Sequence, residues 1–272
     1  TVENKIFPSY VLVKMTMTDE SWHAVRTIPG VTGFVGPGSK PVPLSNEDRV
    51  WAQIISDLET AAGYLDPFSS IYYPSQEACW AMLSKVYLWK GDKTNAIIYA
   101  DKVIDSTAKF TFEKTSAGYG GMFVSGTTSK EIIFALANKR TSNWLRLFTS
   151  LNDTDASWNY SMAEDLRMSL FADEIIKSGD IRKDATYNEE FPTRVIKFPN
   201  GGQNMGQFLA NEDASSSPLV LLRLADVYLI KAEAQGNVNG LSTIKTYMES
   251  RYDSVSLPTT MSEREFEDLV LD

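Results

Sequence analysis

Two stretches, far apart in the sequence, share one spacing of large and small side chains. Each places four residues at intervals of three, one and three: Trp80, Leu83, Ser84 and Tyr87 in the first, Leu221, Leu224, Ala225 and Tyr228 in the second. Such intervals put all four side chains on one side of an α-helix. The spacing therefore predicts two helices that each present the same kind of packing face.

A short link joins each of these helices to a second helix. Gly91 can end the first one and Asp92 can cap its successor, where Ala96 and Ala100 supply small side chains for a close approach. The link "GNVNG" precedes "LSTIKTYMESRY" in the second case. Both pairs predict antiparallel hairpins of the tetratricopeptide type, and hence a mostly α-helical fold.

The second stretch, "PLVLLRLADVYLIKAEAQGN", runs from Pro218 to Asn237 and predicts one long helix. Its charged side chains fall on one side of that helix, where they form a polar stripe: Arg223, Asp226, Lys231 and Glu233. Arg223 and Asp226 are three residues apart and are expected to pair. We interpret these charges as structural, because more than half of the circumference is apolar.

Other segments complete the predicted architecture. A helix is expected after Ser45, and Ser161-x-x-Glu164 is a capping box that predicts a helix ending at Gly179. "KFTFEK" and "KEIIFAL" read as short strands or extended pieces among Gly- and Ser-rich loops. We expect a single domain over 1–272, with a helical scaffold at 46–106, 161–179 and 218–252, and a loop-rich ligand side at 107–160.

Composition excludes several classes of function. The 272 residues carry a formal net charge of -9, which disfavours binding to nucleic acid or anionic lipid. One cysteine, Cys79, and one histidine, His23, leave no intrachain disulfide and no histidine-rich metal site. We expect a buried, inert thiol and a solvent-facing or structural histidine. No apolar run is long enough to span a bilayer, and "TVENKIFPSYVLVKM" lacks the features of a signal peptide.

Several stretches, in this order, resemble the SusD/RagB family of outer-membrane nutrient-binding lipoproteins from Bacteroidetes. The similar stretches are "WAQIISDLETAAGYL", "ACWAMLSKVYLWKGDKTNAIIYADKVID", "SKEIIFALA", "SGDIRKDATY", "PLVLLRLADVYLIKAEAQGN" and "MSEREFEDLVLD". The resemblance covers roughly 46–272 and is to the middle of such a protein. The family's lipobox cysteine, first helices and C-terminal block have no counterpart here.

The resemblance implies a binding protein rather than an enzyme, with no cofactor. Such a protein captures a glycan or another nutrient and delivers it to a SusC-like TonB-dependent transporter. Its implied location is the cell outer membrane, as a surface-exposed lipoprotein whose N-terminal lipid anchor is absent from this chain.

Aromatic side chains outside the helical periods are the predicted ligand site, because glycan sites combine flat aromatic platforms with polar groups. The candidates are Trp144, Trp158, Tyr160, Asn143, Arg146 and Asn159 in the loop-rich region, with Tyr72 and Tyr73 in the link before the first hairpin. By contrast, Trp51, Trp80, Tyr87 and Trp89 follow helical periods and are expected to pack in the core.

Three alternatives stay open. "DTDASWNYSMAE" spaces Asp153, Asp155 and Glu164 like ligands of a calcium loop, although Trp158 stands where that loop needs glycine. These acids together with Asp165 could also supply a glycoside hydrolase pair, which requires two facing carboxyl groups. The helical hairpins could also belong to an adaptor that binds other proteins.

Overall fold

The computed structural model describes residues 13, 15–16, 18–34, 47–123, 128–137, 163–186 and 218–271. The chain forms two compact units, Thr1–Val50 and Trp51–Asp272. The mostly helical fold predicted from the sequence is confirmed, with short strands between the helices.

The smaller unit contains helix α1, Asp19–Arg26. Thr18 caps this helix through its hydroxyl, which accepts a hydrogen bond from the Ser21 amide at 3.2 Å. The Ser21 hydroxyl in turn accepts the Thr18 amide at 3.0 Å, which completes a capping box. None of the α1 side chains is buried.

The larger unit contains the remaining described elements. Its helices are α2 Glu47–Tyr64, which starts before the unit boundary, α3 Gln76–Lys90, α4 Lys93–Ile104, α5 Ser116–Gly121, α6 Glu164–Leu170, α7 Arg182–Thr186, α8 Leu224–Asn239, α9 Leu241–Met248 and α10 Glu263–Leu271. Its strands are β1 Ile132–Leu136, β2 Lys177–Asp180, β3 Leu219–Arg223 and β4 Tyr252–Val255. They form two antiparallel pairs, β1 with β3 and β2 with β4.

The first predicted hairpin, α3 and α4, is confirmed together with its caps. The Ser75 hydroxyl accepts a hydrogen bond from the Ala78 amide at 3.2 Å, and the Asp92 carboxylate accepts one from the Asn95 amide at 3.1 Å. Gly91 ends α3 in the left-handed conformation, with a φ of 84°. Ala96 and Ala100 are fully buried, because their small side chains let α4 lie close to its neighbours.

The second hairpin, α8 and α9, is also present, but its first helix starts later than predicted. Leu219–Arg223 form β3, which pairs with β1 and leaves Leu221 42% exposed. The helix begins only at Leu224, whose amide donates to the Glu131 carbonyl at 2.8 Å. Strand pairing thus overrides the helical period at the start of this stretch.

Three of the four charged side chains that the sequence predicted to be structural form ion pairs. Arg223 pairs with Asp226 at 3.0 Å. The Asp226 carboxylate also accepts a hydrogen bond from the Arg223 backbone amide at 2.9 Å, so the pair caps the start of α8. Lys231 pairs with Asp101 of α4 at 2.6 Å, and this contact ties the two hairpins together.

The predicted helix at 161–179 is wrong in its extent. Helix α6 covers only Glu164–Leu170, and its N-cap is Ala163, which makes no side-chain cap. The chain then turns into β2, where Gly179 has a positive φ of 69°, outside the right-handed helical region. Pairing with β4 takes the place of the last helical turns.

A buried ion pair joins Glu131, directly before β1, to Arg251, between α9 and β4. Arg251 is 1% and Glu131 0% exposed, and the two side chains contact directly. Glu131 also accepts the Glu113 amide at 2.9 Å, while Arg251 donates to the Glu113 carbonyl at 2.8 Å. The guanidinium lies 5.2–5.3 Å from the ring centres of three aromatic side chains: Phe112, Tyr119 and Tyr247.

Replacing Arg251 by Met should cost about 3–5 kcal/mol of unfolding free energy, because it leaves the Glu131 carboxylate buried without its partner. Urea denaturation followed by circular dichroism measures this loss. Lys245→Met is the control, since Lys245 pairs with Glu249 at 3.6 Å on the surface and should lose about 0–1 kcal/mol. Equal losses in the two variants would contradict the central role of the buried pair.

Gly179→Ala should destabilise the chain more than Gly91→Ala. Both glycines have a positive φ, but a Cβ at Gly179 would lie 2.7 Å from the Asp253 Cβ, whereas a Cβ at Gly91 meets nothing within 4 Å. We expect an additional loss of about 1–3 kcal/mol at Gly179 from this overlap, measured by urea denaturation. Equal losses of unfolding free energy in the two variants would mean that β2 can move away from Asp253 of β4 at no cost.

Candidate ligand-binding loop

Two of the predicted ligand-site residues, Tyr72 and Tyr73, lie in the described part of the chain. The other predicted residues fall outside the described ranges and stay predictions: Trp144, Trp158, Tyr160, Asn143, Arg146 and Asn159. Tyr72 and Tyr73 belong to the link between α2 and α3, residues 66–75, which we call the tyrosine loop.

A buried carboxylate holds the first half of the tyrosine loop. Glu77, at the start of α3, is 1% exposed, and its Oε2 accepts the Phe68 amide at 2.7 Å. Its other oxygen pairs with Lys109. Both carboxylate oxygens are therefore satisfied, which a buried charge requires. The Phe68 ring then packs edge-on against Phe110, with 4.8 Å between ring centres.

Backbone hydrogen bonds hold the rest of the loop. The Ile71 side chain is buried, and its carbonyl accepts the Ala135 amide of β1 at 2.8 Å. The Gln76 amide donates to the Asp66 carbonyl at 3.1 Å, and the Gln76 side chain reaches the Ala62 carbonyl at 2.9 Å. The tyrosine loop is thus fixed at both ends and in its middle.

The two tyrosines differ in their surroundings. Tyr72 is half-buried and packs against a cluster that contains Tyr119, Met122 and Ile132. Burial raises the pKa of the Tyr72 hydroxyl. Tyr73 is 69% exposed, on a turn in which its amide donates to the Ser70 carbonyl at 3.4 Å. Tyr72 therefore supports the loop, and Tyr73 is the side chain that it presents to solvent.

An exposed phenol ring on a fixed turn suits a sugar ligand. Its face can contact the C–H face of a sugar ring and its hydroxyl can exchange hydrogen bonds with sugar hydroxyls. Because the loop backbone is already ordered, little conformational entropy would be lost on binding.

The acidic residues of the calcium and hydrolase alternatives are only partly described. Glu164 is exposed at the start of α6, while Asp153 and Asp155 lie outside the described ranges. Within those ranges, no group of three or more His, Cys, Asp or Glu side chains could hold a metal ion. The calcium and hydrolase readings stay predictions.

The single cysteine and histidine have the environments that the sequence predicted. Cys79 is buried in α3, and burial raises the pKa of its thiol. Such a thiol is poor in reactive thiolate. His23 is exposed on α1. No helix in the described ranges combines the length and the apolar character that crossing a membrane requires.

Sequence reasoning missed one exposed aromatic side chain. Trp89 was expected to pack in the core, but it is 51% exposed near the end of α3, with the Lys85 ammonium 5.0 Å from its ring centre. A helical period shows which side chains share a face but not whether a neighbour covers the last turn of that face. The expected packing of Trp89 is therefore wrong.

Tyr72→Ala should cost about 1–3 kcal/mol of unfolding free energy, because it removes a half-buried ring from a packed cluster. Tyr73→Ala should cost less than about 0.5 kcal/mol, as expected for an exposed side chain. Urea denaturation of the two variants tests whether Tyr72 supports the loop and Tyr73 faces solvent. A larger loss for Tyr73→Ala than for Tyr72→Ala would reverse it.

Two family models match separate parts of the chain. The model for the SusD family matches residues 155–251. The model for the transcription termination factor NusG matches residues 1–51. The resemblance to the SusD/RagB family is therefore confirmed, whereas the match at 1–51 was not anticipated.

Solved structures of SusD-like proteins share the fold. A SusD superfamily protein from Bacteroides thetaiotaomicron superposes with a TM-score of 0.62 at 19% identity, over 88% of this chain and 56% of that one. A SusD-like carbohydrate binding protein from Bacteroides vulgatus gives 0.54 at 22% identity, over 82% and 46%. A laminarin binding SusD-like protein gives 0.57 at 20% identity, over 82% and 60%. The chain thus spans about half the length of these structures.

Curated relatives match the beginning of the chain. The transcription termination/antitermination protein NusG of Halalkalibacterium halodurans is 62% identical over 50 residues, which are 17% of this chain and 28% of that protein. The NusG of Bacillus subtilis is 63% identical over 46 residues, which are 16% and 26%. The chain spans less than a third of these relatives. The stretch "GFVGPGSKPVP", which breaks both helical and strand periods, lies inside the matched segment.

Proposed function

We propose that this chain, which belongs to the SusD family through its larger unit, captures glycans at the bacterial surface and delivers them to a SusC-like TonB-dependent transporter. The observation that carries the proposal is the match of residues 155–251 to the SusD family. It is supported by a shared fold with proteins named as carbohydrate binding and laminarin binding.

The tyrosine loop supports the glycan part of the proposal. It holds Tyr73 exposed on a turn whose backbone is fixed by Glu77 and by β1. An aromatic ring offers a flat face to a sugar, and an ordered backbone lowers the entropy lost on binding. We propose that Tyr73 contacts the ligand together with the residues predicted from the sequence: Trp144, Trp158, Tyr160, Asn143, Arg146 and Asn159.

The location and the partner follow from the family. We propose a lipoprotein on the outer face of the outer membrane, with a helical scaffold that docks the transporter on the side away from the ligand loops. The role is capture without chemical change of the ligand. An adaptor for other proteins and a glycoside hydrolase are the rival functions that the experiment must separate.

Affinity electrophoresis through gels that contain polysaccharide tests the proposal, with laminarin as the first probe and a panel of other glycans beside it. We expect retardation by at least one glycan, with no release of reducing ends on prolonged incubation. Isothermal titration then gives the affinity. Absence of binding across the panel would refute glycan capture. Release of reducing ends that is abolished by substituting Asp153 or Asp155 would favour the hydrolase.

Tyr73→Ala should weaken that affinity by about tenfold, the effect of losing one aromatic contact of about 1.4 kcal/mol. Tyr64→Ala is the matched control, because Tyr64 is 88% exposed near the end of α2, outside the loop. Its affinity should equal that of the unchanged chain. An equal effect of the two substitutions would remove Tyr73 from the site while leaving glycan capture itself in place.

A further inference from the structure

Two independent properties of this chain change at the same position. The NusG model match ends there, at residue 51, and the SusD model match begins further on, at residue 155. Compactness changes there as well, because the structure divides into Thr1–Val50 and Trp51–Asp272. Neither property depends on the other, since one compares residue identities and the other compares positions in space.

The described residues of the smaller unit bury no side chain. Helix α1 buries none, and apolar side chains on either side of it face solvent: Val13, Ile28 and Val31 are 47%, 53% and 38% exposed. The indole nitrogen of Trp22 is shielded from solvent without a hydrogen-bond partner. Such a segment draws little stability from hydrophobic burial.

The apolar clusters of the described structure belong to the larger unit alone. Their first member in sequence is Ile55 of α2, which packs with Leu58 against Leu83 and Tyr87 of α3. The other clusters begin at Phe68 or later. The α2 side chains that the structure places in these clusters, Ile55 and Leu58, lie after the boundary, and the helix itself begins at Glu47.

We infer that residues 1–50 and 51–272 are parts of different family origin, joined inside α2, and that the larger part is stable independently of the smaller one. The coincidence of the two boundaries and the one-sided distribution of the core carry this inference. It differs from the single domain over 1–272 that the sequence predicted. It does not depend on the proposed glycan binding, because stability and exchange are its readouts.

A matched pair of substitutions in the full chain tests the inference. Val25→Asp in α1 and Leu58→Asp in α2 each place a carboxylate at a half-buried apolar helical position. We expect Leu58→Asp to lower the melting temperature of the main transition by about 5–10 °C. Val25→Asp should move it by less than about 1 °C. Equal shifts would show that the two parts share one cooperative core, and an unshifted Leu58→Asp would show that α2 is not part of the larger core.

Native-state hydrogen exchange of the unchanged chain gives a second readout. Amides of α1 should exchange through openings that leave the amides of α3 protected, because independent parts unfold independently. Exchange of α1 and α3 with the same dependence on denaturant would overturn the inference.

Discussion

The ion pair between Glu131 and Arg251 is the contact on which the other parts of the larger unit converge. Its two members are 120 positions apart in sequence, yet both are withdrawn from solvent. The cost of burying two charges is offset because both carboxylate oxygens of Glu131 and both terminal nitrogens of Arg251 have partners, and three aromatic rings surround the guanidinium. The Glu131 carbonyl also receives the first amide of α8, so one residue positions both a strand and a helix.

Glu77 does for the tyrosine loop what Glu131 does for the segments around β1. Each is a buried carboxylate that accepts the amide of a residue in an irregular segment, Phe68 in one case and Glu113 in the other. Each is neutralised by a base from a third segment, Lys109 or Arg251. Irregular backbone next to a helical scaffold is thereby held without regular secondary structure, which is the condition for a fixed ligand-binding loop.

Local signals in the sequence predicted what short-range physics decides. The caps of α3 and α4 and the pairing of Arg223 with Asp226 depend on neighbours a few residues away. The sequence periods predict helix where β2 and β3 form, because their partners β4 and β1 come from distant sequence that no period reveals. The exposure of Tyr73 and the burial of Tyr72 likewise depend on β1 and on a cluster built from several segments.

Helix α8 packs on α4, although a long region separates Ile104 from Leu224 in the chain. The loop-closure entropy of such a connection grows only with the logarithm of its length, so doubling it costs about 0.6 kcal/mol. The two hairpins can therefore stay paired while the connection between them gains or loses many residues. A scaffold with this topology can change the size of its intervening loops, and with them its recognition surface, at little expense in folding free energy.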